Sequence, residues 1–203
     1  QKSTLIDKII VATSTNSEDD QLKQIVVNLG FDCFRGSEND VLGRCIQAIK
    51  SIPAKTIVRI TGDCPLIDPY LVDKVISKYK SENVKYASNV NPPSFPDGMD
   101  VEVIDRVTLE SLLTKPLCKS DLEHVTSAIH NDKKLAKANL RSPKDLSQIR
   151  ITLDEKEDLA VISSIVKHFS PRIYFTLQDI ASLYNKNPSI FDKNKHLTRN
   201  EGS

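Results

Sequence analysis

No apolar run in the 203 residues approaches the roughly 18 to 20 that a membrane-spanning helix requires. An excess of one charge is missing too: 28 Lys and Arg stand against 27 Asp and Glu, a formal net charge of +1 at pH 7. Nonspecific nucleic-acid binding depends on a basic surface that displaces counterions, so no nucleic-acid partner is expected. The four cysteines (Cys33, Cys45, Cys64 and Cys118) include no C-x-x-C pair and no metal-ligand spacing with the four histidines. That leaves reduced thiols and a cytoplasmic location as the expectation. Residues 1–6 have neither the shape of a signal peptide nor an initiator Met. Internal repeats, low-complexity tracts and obvious linkers are also absent.

The remaining composition is that of an ordinary globular chain, 39% apolar and 27% charged. It suffices for one α/β domain with a substantial core, so a single domain over 1–203 is expected. Ile9-Ile10-Val11-Ala12 reads as a strand buried on both faces. A helix with Leu22, Ile25, Val26 and Leu29 follows at helical spacing and ends at Gly30. Phe31 to Phe34 is a second strand, a helix covers about 40–50, and Thr56 to Ile60 is a third strand. Asp68-Pro69 opens a helix whose apolar stripe is Leu71, Val72, Val75, Ile76 and Tyr79. Alternating strands and helices predict a mostly parallel, Rossmann-like sheet with helices on both faces.

The second half is less regular. Residues 84–88 read as a strand and 89–99, with three prolines, as a loop. Residues 100–104 alternate polar and apolar like a half-buried strand. Asp105 caps a helix through Leu109, Leu112 and Leu113, and residues 123–129 look helical. A strand is expected over 149–153. An amphipathic helix follows over 155–169, with Leu159, Ile162, Ile165, Val166 and Phe169 on one side. A last helix covers about 177–184.

Chemistry concentrates at a few places. A buried strand delivers Asp63 at its carboxyl end, where open α/β sheets bind their ligands, and Gly62 permits a sharp turn there. A carboxylate so placed can hold a divalent cation against phosphates, or simply cap the next turn. Asp154 has the same context after Leu153. Glu155, Glu157 and Asp158 complement a helix dipole and need no further role. Asp100 and Glu102 share one strand face beside a Gly turn. Arg35 and Arg44 flank a polar loop and suit either phosphate, a base edge or surface ion pairing. His124 lies in a helix, where packing is the commoner role. Hydrolase triads have no supporting spacing.

Taken in order, these motifs resemble the cytidylyltransferase family of the spore-coat polysaccharide type, related to CMP-sialic acid and CMP-KDO synthetases. The resemblance rests on residues 9–13, Arg35-Gly36-Ser37 with Asp40-Val41-Leu42, residues 59–68 and 96–103, Glu123-His124-Val125-Thr126, residues 151–159 and Arg199-Asn200-Glu201-Gly202. It implies a glycosyltransferase-A-like nucleotidyltransferase fold. It also implies a reaction that joins CTP to an acidic or related sugar, with release of pyrophosphate, in surface polysaccharide synthesis. By that likeness Asp63 and Asp154 are the catalytic Mg²⁺ ligands. Arg35, Ser37, Arg44 and Arg59 would lie near the nucleotide, and Asp100, Glu102 and His124 on the sugar side. A homodimer would be in keeping with the family.

Two departures stand out. Family members begin with a strand and a triphosphate-gripping loop, whereas this sequence starts after that point. The resemblance therefore implies an N-terminally truncated chain that folds but has lost most of its turnover. Glu155-Lys156 also replaces the usual Thr-Pro at a helix start, where no chemistry is expected to be lost. Two rival readings stay open at this level: a glycosyltransferase sharing the nucleotide-binding sheet, and a noncatalytic assembly domain descended from the enzyme.

Overall fold

The computed structural model describes residues 2–199. Its contacts divide the chain into two compact units. One comprises the described residues 2–5, 58–103 and 137–199, the other residues 6–57 and 104–136.

The second of these is built on a parallel strand pair. β1 (Ile10–Ser14) runs beside β2 (Asp32–Gly36), with Ile10 opposite Asp32 and Ser14 opposite Gly36. Parallel pairing demands a crossover, which α1 (Asp20–Asn28) supplies. Gly30, at φ +81°, turns the chain back toward β2. Asp40 then starts α2 (Val41–Ala48) by accepting from the Gly43 amide at 2.8 Å. Asp105 starts α4 (Arg106–Ser111) in the same way, accepting from the Thr108 amide at 3.0 Å. α5 (Lys119–His124) packs against α2.

Two expectations change here. The helix expected over 123–129 is broken, because Val125 adopts φ +62° and separates α5 from α6 (Ser127–Asn131). Nor is the apolar stripe of α1 a buried one. Val26 is covered, yet Leu22, Ile25 and Leu29 remain 42%, 49% and 68% exposed. A layer of two strands offers too narrow an apolar face to cover a whole helix side. The same narrowness leaves most of β1 half-buried rather than enclosed.

A four-stranded sheet runs in the order β3 (Thr56–Arg59), β5 (Glu102–Asp105), β4 (Tyr86–Ser88) and β6 (Lys137–Asn139), and the other unit holds β4 and β6 whole with residues 58–59 and 102–103. β4 and β6 are parallel, with Ala87 opposite Ala138. α3 (Pro69–Glu82) lies on β4 and β6 and buries Leu71, Val72, Val75 and Ile76. The buried Asp68 caps this helix through the Tyr70 amide at 2.9 Å. Its other oxygen accepts from the Leu177 amide, also at 2.9 Å, at the start of α8 (Leu177–Lys186). One carboxylate thus fixes two helix entries. The mixed α/β, Rossmann-like class with parallel pairing is the class the sequence predicts.

Three local readings differ in this unit. The alternation at 100–104 suggested a half-buried strand, but Val101, Glu102, Val103 and Ile104 are all buried. Glu102 can be buried because partners within the fold take up both of its oxygens. Residues 149–153 are extended without joining the sheet as a strand. They pair with the loop instead, the Asp97 amide donating to Ile149 O at 2.9 Å and the Ile151 amide to Asp97 O at 2.8 Å. α7 (Lys156–Phe169) turns Leu159 and Val166 outward and buries Asp158 and Val161 beside Ile162 and Ile165. The shift follows from Asp158, whose carboxylate is required inside.

The loop 89–99 is unusual in being largely buried, so its polar groups need internal partners. Asn89, fully buried, donates to Met99 O and accepts from the Val101 amide, both at 2.8 Å. Gly98, at φ +93°, presses against the backbone of residues 151 and 152. A Cβ there would stand 2.4 Å from Thr152 N and 2.5 Å from the Ile151 carbonyl carbon.

Substituting Gly98 by Ala should therefore combine a strained φ with a backbone collision. We expect a loss of more than about 2 kcal/mol in unfolding free energy, with local separation of the loop from residues 151–152. Urea denaturation of the purified variant measures this, and wild-type stability in Gly98→Ala would refute it.

Candidate functional site

The polar residues read from the sequence fall into two clusters, one in each unit. In the unit built on β1 and β2, a cleft of about 200 Å³ opens among Thr13, Ser14, Asn16, Glu18, Asp19, Glu38 and Arg44. Its shape comes from short-range hydrogen bonding at the end of β1. Asp19 accepts from the Thr13 hydroxyl at 2.6 Å and from the Ser14 amide at 2.9 Å. Hydrogen bonds from Ser14 and Thr13 hold its carboxyl well below the usual range, at about 2.

Arg35 is committed to the same framework. Its guanidinium donates to Ser14 O, to Asn16 O at 2.7 Å and to Asp20 at 2.8 Å. Ser37 accepts from the Asp40 amide at 3.0 Å, bracing the loop before α2. Arg44 is placed differently. Nη1 donates to Ser37 O at 2.6 Å, while Nε is buried without a hydrogen-bond partner among the described residues. Gly36 admits it, since a Cβ there would sit 2.9 Å from Arg44 Cγ. The cleft thus presents several carboxylates beside one guanidinium whose Nε is enclosed. His124, in this same unit, ends α5 half-buried, and its carbonyl accepts from the Thr126 amide.

The second cluster lies in the other unit. Asp63 and Asp154 end neighbouring segments, because the Leu153 amide donates to Asp63 O at 2.8 Å and the Thr152 hydroxyl reaches the same carbonyl at 3.2 Å. Asp97 is close enough to feel the charge of both. Among the described residues no three His, Cys, Asp or Glu side chains converge as a complete metal cage. Carboxylates are the donor type that Mg²⁺ takes, commonly one or two beside phosphate oxygens and water. Asp154 also accepts from Arg150 at 3.1 Å and is 43% exposed at its side chain. Cys64, next to Asp63, has its thiol pushed up to about 12 by burial, which makes it an unreactive packing group.

Around this pair the carboxylates are matched by two arginines. Arg150 grips Asp158 with two bonds, 2.9 and 2.8 Å, and reaches Asp97 at 3.0 Å. Asn194 adds 2.8 Å to Asp158 and 3.1 Å to Arg150 O. Burial alone would raise the Asp158 pKa; the bonds from Arg150 and Asn194 outweigh it and bring it to about 2. Arg199 bonds to Asp100 and stands 3.7 Å from Asp97. Burial raises both of these aspartates against the pull of Arg199, Asp100 to about 6.

Glu102 is 5% exposed, with Arg59 at 2.6 Å on one oxygen and the Tyr86 hydroxyl on the other. Burial, then the Glu102 charge, drives the Tyr86 pKa upward. Asp97, Asp158 and Arg199 were not among the candidate site residues. The sequence held one clue to part of this network: Arg150, Asp154 and Asp158 recur at intervals of four.

Comparison with known proteins now bears on the identity of the chain. A family model described as cytidylyltransferase matches residues 1–196. An uncharacterized protein of Methanocaldococcus jannaschii is 35% identical over 200 residues, covering 97% of this chain and 81% of that protein. Spore coat polysaccharide biosynthesis protein SpsF of Bacillus subtilis (strain 168) is 31% identical over 186 residues, covering 90% and 76%. The structure of a cytidylyltransferase from Leptospira borgpetersenii superposes with a TM-score of 0.88 at 30% identity, over 94% of this chain and 81% of that one. CMP:2-keto-3-deoxy-manno-octonic acid synthetase complexed with CTP superposes with a TM-score of 0.58 at 10% identity, over 83% of each, which is a likeness of fold. The chain belongs to the cytidylyltransferase family.

The Arg150 cluster generates a stability test. Removing the guanidinium leaves the fully buried Asp158 without its main partner, so Arg150→Ala should cost about 3–5 kcal/mol by denaturant unfolding. Asp158 is depressed in the folded state, so its contribution is complete above its unfolded value of 3.8 and fades as pH falls through about 2. Asp158→Asn should flatten that acid limb; an unchanged limb would remove Asp158 as its cause.

Proposed function

We propose that this member of the cytidylyltransferase family transfers CMP from CTP to a hydroxyl of an acidic or related sugar. The observation that carries the reading is the junction of Asp63 and Asp154, held by the Leu153 amide on Asp63 O at 2.8 Å. It supports a shared position for one Mg²⁺ at the edge where an α/β sheet takes its nucleotide.

The cleft beside β1 supports a pyrimidine carrying both an amino group and ring acceptors. Glu18, Asp19 and Glu38 offer acceptors for an exocyclic amine, and Arg44 lines the same cleft as its one cationic side chain. Arg35 and Ser37 contribute by holding that cleft in shape. On the other unit, Asp100 is the more accessible of the two sugar-side carboxylates, 31% exposed at its side chain against 6% for Glu102.

In the reaction the sugar oxygen bonds to the α-phosphorus of CTP and the bond from that phosphorus to the bridging oxygen breaks. Pyrophosphate leaves with the bonding electron pair, and the hydroxyl proton passes to solvent. Mg²⁺ would supply charge neutralisation at the α-phosphate. Asp63 and Asp154 would orient it, and Arg150 would steer one oxygen of Asp154. The SpsF protein of Bacillus subtilis carries a spore coat polysaccharide name, which supports a role in surface polysaccharide synthesis.

With Mg²⁺ present, CTP should raise the melting temperature more than ATP at equal concentration, because ligand bound only to the folded state stabilises by mass action. Equal shifts would count against cytosine recognition. Asp63→Asn should lower pyrophosphate release about 10²- to 10³-fold with little change in melting temperature. Undiminished turnover would exclude Asp63 from the chemistry.

A further inference from the structure

The last described segment, residues 188–199, is held to the unit that carries Asp63 in two different ways. Its first part, Pro188–Asn194, is built into the core. Phe191 and Asn194 are buried, the Phe191 ring meets Tyr184 edge-on at 5.1 Å, and Asn194 bonds to Asp158 at 2.8 Å. Residues 195–199 are mostly exposed. A cavity of about 60 Å³, bordered in part by Gln148, Arg150, Lys195 and Leu197, leaves them incompletely packed. Polar contacts hold them. Arg150 donates to Thr198 O at 3.3 Å. Arg199 bonds to the Asp100 carboxylate, donates to the Phe95 carbonyl at 3.3 Å and stands 3.7 Å from Asp97. Those three partners of Arg199 all belong to residues 95–100, which Gly98 presses against residues 151–152.

We propose that residues 195–199 form a strap latched to the buried loop by the Arg199–Asp100 pair, and that acidification opens this latch. The groups that face Asp100 are Arg199 on the strap, Asp97 in the same loop, Glu102 on β5 and Cys64 after β3. Of these, Arg199 alone is a cation. Burial raises the Asp100 carboxyl to about 6 against the pull of Arg199. The two contributions run in opposite directions with pH. Burying Asp100 costs the fold stability as pH rises through about 6, whereas the bond to Arg199 is strongest once the carboxyl is ionised. As pH falls through about 6, the carboxyl takes a proton and Arg199 loses a charged partner. Arg150, Asp158 and Asn194 keep their own bonds, so the strap loosens without the core coming apart. The latch needs neither nucleotide nor metal, and so stands independently of the reading of Asp63 and Asp154.

The test is amide hydrogen exchange of the intact chain between pH 5 and pH 8, read by mass spectrometry on peptides covering the strap. Rates are corrected for the intrinsic pH dependence of exchange. Protection of the strap in the wild type should fall about 10-fold from pH 8 to pH 5, the size expected for one hydrogen bond to a charged group. Amides of α3 should stay protected throughout. Asp100→Asn keeps the shape and an acceptor for Arg199 without the charge, so its strap should show the low protection at every pH. Arg199→Gln should do the same, and Arg199→Lys should restore part of the pH dependence. A wild-type strap equally protected at pH 5 and pH 8 overturns the proposal, and this arm needs no variant to fold. A fall that persists undiminished in Asp100→Asn assigns the effect to another group, such as His196 in the strap itself, and also overturns it.

Discussion

The unit that carries Asp63 and Asp154 depends on one buried cation. Arg150 is 8% exposed and directs its guanidinium to Asp158, Asp97 and Asp154, which belong to the N-terminal turn of a helix, a buried loop and an exposed segment end. Each is a place where backbone irregularity would otherwise be costly. A fork with fixed geometry can satisfy several carboxylates at once, which a lysine could not do. Because Asp158 is also bonded by Asn194, the segment after the last helix is tied to the same centre. The loop 89–99 can then be buried, and the candidate ion ligands can sit at a defined edge.

This arrangement explains what the sequence disclosed and what it withheld. Helix starts were legible because they are local. Asp40, Asp105 and Asp68 each precede an apolar run and each accepts from an amide within three residues. The strands β1 and β3 were legible because runs of β-branched residues have few other uses. The role of residues 149–153 was not, since an isolated bridge to a loop looks the same in sequence as a place in a sheet. A dipole-complement reading of Asp158 misses its actual partner, which is eight residues back and outside the helix that carries Asp158.

The candidate site was partly legible for a similar reason. Asp63 and Asp154 follow apolar runs and stand out as carboxylates at strand-like ends. Arg35 stood out too, but a sequence cannot say where its donors go, and here they hold the loop at the end of β1. Arg44 is distinguished by a buried Nε that has no hydrogen-bond partner among the described residues, a property visible only in the folded chain. Composition supplies the inventory of charges; the three-dimensional pairing decides which of them remain for a ligand.

The discontinuity of the unit that holds Asp63 has a consequence for synthesis on the ribosome. Its first long segment ends at residue 103, and its next begins at residue 137. Gly98, Asp97 and Asp63 have emerged long before the backbone they meet at 149–153 has been made. At about 5–20 residues per second the wait over these roughly 50 residues lasts several seconds. During it the future buried loop carries carboxylates with no cation and amides with no acceptor. The parallel pair of β1 and β2 needs nothing beyond residue 36 and can form meanwhile. Nascent chains should therefore reach the exit tunnel's end in a fixed order of closure, in which Asp68, waiting for Leu177, is among the last side chains to find its second helix.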